Sequence, residues 1–340
     1  MFLTSTVNVF AVATSNYYEN ATNESVILKG VTERLENIKE NAIEYKELFC
    51  DYNEEFTYYI GDPYIMYQVE AETQDEVIYY PIVCEELNKV EFTVDVARIC
   101  DDYTYNLSGG YVEILNEIGY VDNDMISYVY NGIVFFETEY RCIDSYDFYV
   151  EGKVDEAPAW DIPFKNKIEQ IENVKFNSCN KPDSFSGIEE NARYYGSLTL
   201  KNPRGQYSYG MCWACSVATV YNYLKTTPIT GFDVCNAMGI GYYGINYSHI
   251  RNSSLTYSQI QSNINNSKPF IINGLYNGTS GSGHAVTGYG YISSGSSAEV
   301  KIWDSALNGG TGAYSSFIPS NAYFTSNGVN FYWVTTLSYY

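Results

Sequence analysis

Cys212 heads the run Cys212-Trp213-Ala214-Cys215-Ser216, and Ala214, Val217, Val220, Tyr221 and Leu224 follow at three-to-four-residue spacing. That spacing predicts a helix with one buried apolar face. A thiol in the first turn of a helix meets the positive end of the macrodipole and free backbone N–H groups, both of which favour thiolate. Gln206, upstream, carries a side-chain amide that could bind an oxyanion beside the Cys212 N–H. A thiol nucleophile needs a base working near neutral pH, and histidine is the usual choice. The chain has two histidines. His249 lies in the polar stretch 246–254 and reads as an exposed loop residue. His284 has glycines before it and Ala285, Val286, Tyr289, Tyr291 and Ile292 after it, which predicts the start of a buried strand facing a helix N-terminus across a cleft. Asp304 ends the alternating run Ala298–Trp303, where a carboxylate can orient the imidazole and fix its tautomer. The chemistry implied is acyl transfer through a thioester.

Gln206, five residues, then Cys-Trp-Ala-x-Ser resembles the nucleophile region of papain-like cysteine peptidases, and Gly-His-Ala-Val with Gly-Tyr-Gly resembles their histidine strand. The resemblance covers about residues 186–340 and is closest in style to compact bacterial members such as streptopain, staphopain and the bacteriocin-leader peptidases. It implies a secreted endopeptidase made as a zymogen, with Cys212 as nucleophile, His284 as base and acid, Asp304 as orienting group and Gln206 in the oxyanion hole. No metal or organic cofactor is implied, and the partners are a protein or peptide substrate and the chain's own N-terminal pro-domain. Papain-like enzymes commonly place Asn before Ser-Trp-Gly at the third site. Here an aspartate stands with Trp303 before it, which leaves the tryptophan cover of that pair without a candidate. Two other readings share these residues: an amine-accepting acyl transferase of transglutaminase type, and a silent papain-like binding module.

The elements that must position this set fall into two differently charged parts. Residues 1–190 hold 38 acidic against 12 basic residues, while 191–340 hold three against seven. An acidic covering segment on a mildly basic catalytic one fits that asymmetry. Without a basic cluster, nucleic acid is not an expected partner, and no apolar run is long enough to span a bilayer. Ala11-Val12-Ala13 resembles a signal-peptidase site, so residues 1–25 read as a signal peptide cut near Ala13. Leu28, Val31, Leu35, Ile38, Ala42, Tyr45 and Phe49 keep a heptad and predict an amphipathic helix. Short β-rich runs over 56–60, 64–69, 77–83, 90–96, 126–130 and 132–137, with a helix over 111–118, predict an α+β domain over 26–150. The turn-rich 151–190 reads as a linker, with a maturation cut within 178–195.

The fold class expected is therefore α+β: a nucleophile helix packed on a small antiparallel sheet at 191–340, preceded by an α+β pro-domain. Thr256 with Gln259 predicts a capped helix ending before Pro269, and a strand follows over 269–276. Eight cysteines leave an odd number once Cys212 is set aside, so at least one further thiol is free or pairs between chains. Cys215 reads as a small core residue rather than the partner of a redox pair.

Overall fold

The computed structural model describes residues 21–49, 52–99, 102–151, 166–167, 194–206, 210–237, 249–276, 283–294, 297–319 and 322–338, with backbone alone at 21–23, 151, 249–250, 294 and 297. The signal-peptide expectation and most of the linker with its cut lie outside the described residues.

The chain is mixed α+β. The first helix, Ala21–Glu40, buries Ile27, Val31, Leu35 and Ile38 and leaves Leu28 exposed at its edge. Its heptad continues into Tyr45 and Phe49, but these sit on a 3-10 turn, Ala42–Tyr45, and the loop after it. Sequence periodicity thus located the buried stripe and overextended the helix.

Strands β1 (Tyr58–Ile60), β2 (Met66–Gln68), β3 (Val77–Cys84), β4 (Lys89–Ile99) and β5 (Asp102–Ser108) come next. A helix at Val112–Ile118 precedes β6 (Ile126–Tyr130), β7 (Ile133–Glu137) and β8 (Cys142–Asp144). The β6–β7 turn is Asn131-Gly132, both residues at positive φ, the geometry that a two-residue hairpin turn matched to strand twist requires. Strands β2, β6, β7 and β8 form a four-stranded sheet.

The C-terminal part contributes β9 (Tyr194–Ser197), the helix Cys212–Leu224, a short helix Gly231–Asn236 and β10 (His249–Arg251). A helix at Tyr257–Asn265 follows, then β11 (Phe270–Tyr276), β12 (Gly283–Ser294), β13 (Ser297–Asp304), β14 (Ala313–Phe317), β15 (Tyr323–Ser326) and β16 (Val329–Ser338). Thr230 with Asp233 and Thr256 with Gln259 close capping boxes that start the two shorter helices.

One 12-stranded sheet runs through both parts in the order β1-β3-β4-β5-β14-β13-β12-β11-β16-β10, with β15 on β16 and β9 on β12. The junction is β5 against β14, pairing Ser108 with Ser315 and Leu107 with Ser316. Cores cross it as well: Tyr79, Tyr111, Ile114 and Phe136 pack in one cluster with Leu307, Ala313 and Tyr323. A buried ion pair spans the same boundary, Arg34 to Glu299 at 2.5 Å, and both the Tyr45 and Ser316 hydroxyls donate to that carboxylate. His249, expected in a loop, has its backbone in β10 opposite Ser338.

Candidate active site

The helix Cys212–Leu224 presents Cys212 as its first residue, with Met211 as N-cap. It lies against the start of β12: Ser216 Oγ donates to the Ala285 carbonyl at 3.1 Å, and residues Ala214, Val217, Ala218 and Val220 pack on Ile271 and Ala285. The expected apolar face is there, except that Leu224 is exposed at the C-terminal end. This packing brings the Cys212 thiol within hydrogen-bond reach of His284.

His284 Nε2 lies 2.7 Å from Asp304 Oδ1, both side chains almost fully buried. With Nε2 occupied, the other ring nitrogen is left for Cys212. Asp304 Oδ1 also accepts the Ala306 N–H at 2.9 Å. Burial by itself would raise the carboxylate's pKa, but the charge and hydrogen bond of His284, the Ala306 N–H and the Ser326 hydroxyl together lower it. The Ser326 contact falls short of full hydrogen-bond geometry, so Oδ2 has no formed bond. Burial would likewise depress the imidazole, yet Asp304 and then Cys212 push it up to about 10. The thiol, raised by burial, ends below its ordinary value because His284 bonds and attracts the thiolate, helped by the Ala285 and Trp213 N–H groups. A thiolate–imidazolium pair is the state these shifts favour.

Cys215, one turn on, makes the contrast. It is fully buried, donates to the Gly205 carbonyl at 3.2 Å, and is pushed up to about 12, first by burial and then by Cys212. Cys84, Cys212, Cys215 and Cys235 are free thiols. The core reading of Cys215 agrees with this geometry.

Gln206 lines the same cavity as Cys212 and His284, which measures about 870 Å3. Its backbone N–H donates to the Ser305 carbonyl at 2.8 Å, tying its segment to the loop after Asp304. Gly205 permits that approach, since a Cβ there would stand 2.2 Å from the Gly310 carbonyl oxygen.

Structure also brings in residues that the sequence did not mark. Phe331 and Phe324 flank the imidazole, their ring centroids 5.3 and 6.1 Å away. Trp303 turns elsewhere, donating to the Arg204 carbonyl and stacking edge-on with Tyr314. The cover missing from the sequence pattern is thus supplied by the β15–β16 hairpin. Phe331 lies in β16, and nothing in its sequence spacing aims it at His284. The opposite wall is N-terminal: Gln68, Asp75, Tyr111 and the Asn131–Gly132 turn border the cavity.

Among the described residues no group of three or more His, Cys, Asp or Glu side chains is placed to hold a metal, and no helix is long and apolar enough to cross a membrane. No protein-family model matches the chain, and no curated protein matches it in sequence.

Proposed function

We propose that the protein is a papain-like cysteine endopeptidase, exported and made as a zymogen. The observation that carries this reading is the relay Cys212–His284–Asp304 at the head of a helix, with the His284–Asp304 bond at 2.7 Å and the thiol's pKa drawn down by the imidazole. The Cys212 thiolate attacks the scissile carbonyl carbon. Its oxygen takes the negative charge, facing the Cys212 N–H and the Gln206 side chain. His284, protonated in the resting pair, gives its proton to the leaving amine as the C–N bond breaks, and a thioester remains. Water then attacks the thioester, His284 accepts its proton, and the acid leaves as the thiolate–imidazolium pair is restored. Asp304 keeps the imidazole oriented and charged without taking up the proton. The N-terminal segment supports the precursor part of the reading, because it borders the cavity that a peptide must enter.

The test is hydrolysis of a general protein substrate under reducing conditions, with Cys212→Ala beside the full chain. Hydrolysis by the first, directly or after a protease cuts the linker, and none by the variant is the expected result. Incorporation of a labelled amine in place of hydrolysis would transfer the site to acyl transferases. No Cys212-dependent turnover or labelling by a thiol-reactive inhibitor under any condition would leave a binding module.

A further inference from the structure

The turn joining β15 to β16 is where the N-terminal segment reaches the catalytic pair. Four of its groups grip that turn. Gln68 Nε2 donates to the Asn327 carbonyl at 2.8 Å, and Tyr111 Oη donates to Asn327 Oδ1 at 2.6 Å. The Gly328 N–H donates to Tyr79 Oη and the Asn330 N–H to Asp75 Oδ2, each at 2.8 Å. Tyr79 and Tyr111 are buried. Gly328 holds a φ of +78°, and a Cβ there would come within 2.9 Å of Gln68 Nε2 and the Met66 carbonyl oxygen, so the two parts meet backbone to side chain with no slack.

From this turn the contacts run straight to the site. Asn327 Nδ2 donates to the Ala306 carbonyl at 3.4 Å, and the Ala306 N–H donates to the Asp304 oxygen that holds His284. Ser326 precedes the turn and faces the same carboxylate. Phe324 and Phe331, on the two strands the turn connects, flank the imidazole. Tyr111 also reaches the loop after Asp304 from its far side, its N–H donating to Asn308 Oδ1 at 2.6 Å.

We infer that the N-terminal segment is a working part of the catalytic unit, with Tyr79 and Tyr111 as positioning residues that hold Asp304, and through it His284, by way of the Asn327–Asn330 turn. The relay is assembled while the segment is docked, which a purely blocking segment does not require. The shared core, the β5–β14 pairing and the buried Arg34–Glu299 pair hold it in place. A cut in the linker therefore gives a two-chain enzyme rather than a free C-terminal fragment. The turnover readout of this inference rests on the peptidase reading; the thiol readout does not.

The experiment compares the full chain with Tyr79→Phe/Tyr111→Phe, which removes two hydroxyls and nothing else. Two quantities are read: the rate of Cys212 alkylation by iodoacetamide against pH, and kcat and KM on a peptide substrate. The expected result is a fall in kcat of about tenfold with KM held within about twofold, and an acid limb of alkylation moved up toward that of an ordinary thiol. A role confined to stability would lower the melting temperature and leave both the limb and kcat of the folded protein in place, and that result overturns the inference. Should the pair fail to fold, Gln68→Ala, half-buried on the same turn, must move the limb in the same direction by less; no movement counts against the inference. A wild-type limb at low pH with no peptide hydrolysis either before or after a protease cuts the linker removes the peptidase reading and keeps the positioning test intact. A wild type that already alkylates like an ordinary thiol overturns both.

Discussion

The N-terminal and C-terminal parts each bury an aspartate in the joint interior, and the two are held in opposite states. Asp304 ends β13 beside His284, and its pKa lies below the ordinary carboxylate value despite complete burial. Asp95, in the middle of β4, has only hydroxyl partners among the described residues, Thr93 at 2.6 Å and Thr325, and burial pushes it up to about 7. Hydrogen bonds from hydroxyls draw a carboxylate's pKa down, but they do not offset the desolvation that a facing cation does. Burial makes both groups responsive, and the partner decides the sign. The C-terminal part thereby holds a charged pair beside the Cys212 thiol. The N-terminal part keeps a carboxyl that is neutral in acid and charged, at a cost, in base.

Removing the charge from the first of these has the largest expected effect. Asp304→Asn keeps an acceptor for the imidazole and discards the anion. His284, now held near 10, should fall back toward its ordinary value, and the alkaline limb of kcat/KM should move down with it. A fall of two in that pKa cuts the ion-paired fraction about tenfold at pH 9 and approaches about a hundredfold only above pH 10, so activity at pH 9 should drop about tenfold while activity near pH 6 is much less affected. A limb that stays near 10 in the variant would show that Asp304 does not supply the charge. The same pair also stabilises the fold with a defined sign. The imidazole's pKa is raised, so its contribution is complete below about 6.5 and is lost as pH climbs through about 10.

Next in size is the ion pair that spans the two parts. Arg34 and Glu299 are both buried, and Arg34→Met leaves the Glu299 carboxylate with the Tyr45 and Ser316 hydroxyls as donors and only the charge of Lys301 acting on it. Breaking a buried pair in this way costs about 3–5 kcal/mol, to be read from urea midpoints at neutral pH. Arg34→Met with Glu299→Leu removes both charges and should recover most of that loss. If the double variant is no better than the single one, the lost stability belongs to packing of the arginine side chain rather than to the stranded carboxylate.

How much of this was legible depended on whether a residue's partner was near in sequence or pattern. Cys212, His284 and Asp304 carry residue types whose chemistry demands one another, so they could be named before any fold was known. Strands such as β3 and β4 showed in their β-branched and aromatic runs, and the Asn131-Gly132 turn in its residue pair. Strand β5 did not show. Asp102-Tyr-Thr-Tyr-Asn-Leu-Ser108 reads as polar, yet Thr104, Asn106 and Ser108 are buried because the strand lies between β4 and β14. That partner is some two hundred residues away, and no local pattern announces it. For the same reason the joining of both parts into one sheet, the phenylalanine cover of His284 and the grip on Asn327 were all invisible: each is a contact between segments whose own sequences are unremarkable.

The smallest expected effect sharpens the comparison most, because it isolates a buried carboxyl with no cationic partner. In the unfolded chain Asp95 releases its proton near 3.8, and in the folded protein near 7. Between those values the folded state binds more protons than the unfolded one, so this residue makes stability fall as pH rises from about 4 to about 7 and contributes a constant cost above that. A span of three pKa steps bounds the cost at about 4 kcal/mol, and relaxation around Thr93 and Thr325 reduces it. Asp95→Asn keeps the Thr93 hydrogen bond and cannot ionise. Its stability should match the wild type near pH 4, exceed it progressively up to pH 7, and run parallel to it beyond. The catalytic limbs should move much less than in Asp304→Asn, since Asp95 faces Tyr64, Tyr79, Thr93 and Thr325 rather than the imidazole itself. A variant less stable than wild type at pH 8 would mean that the charged carboxylate is held by a cation the described residues do not contain, and the contrast with Asp304 would collapse.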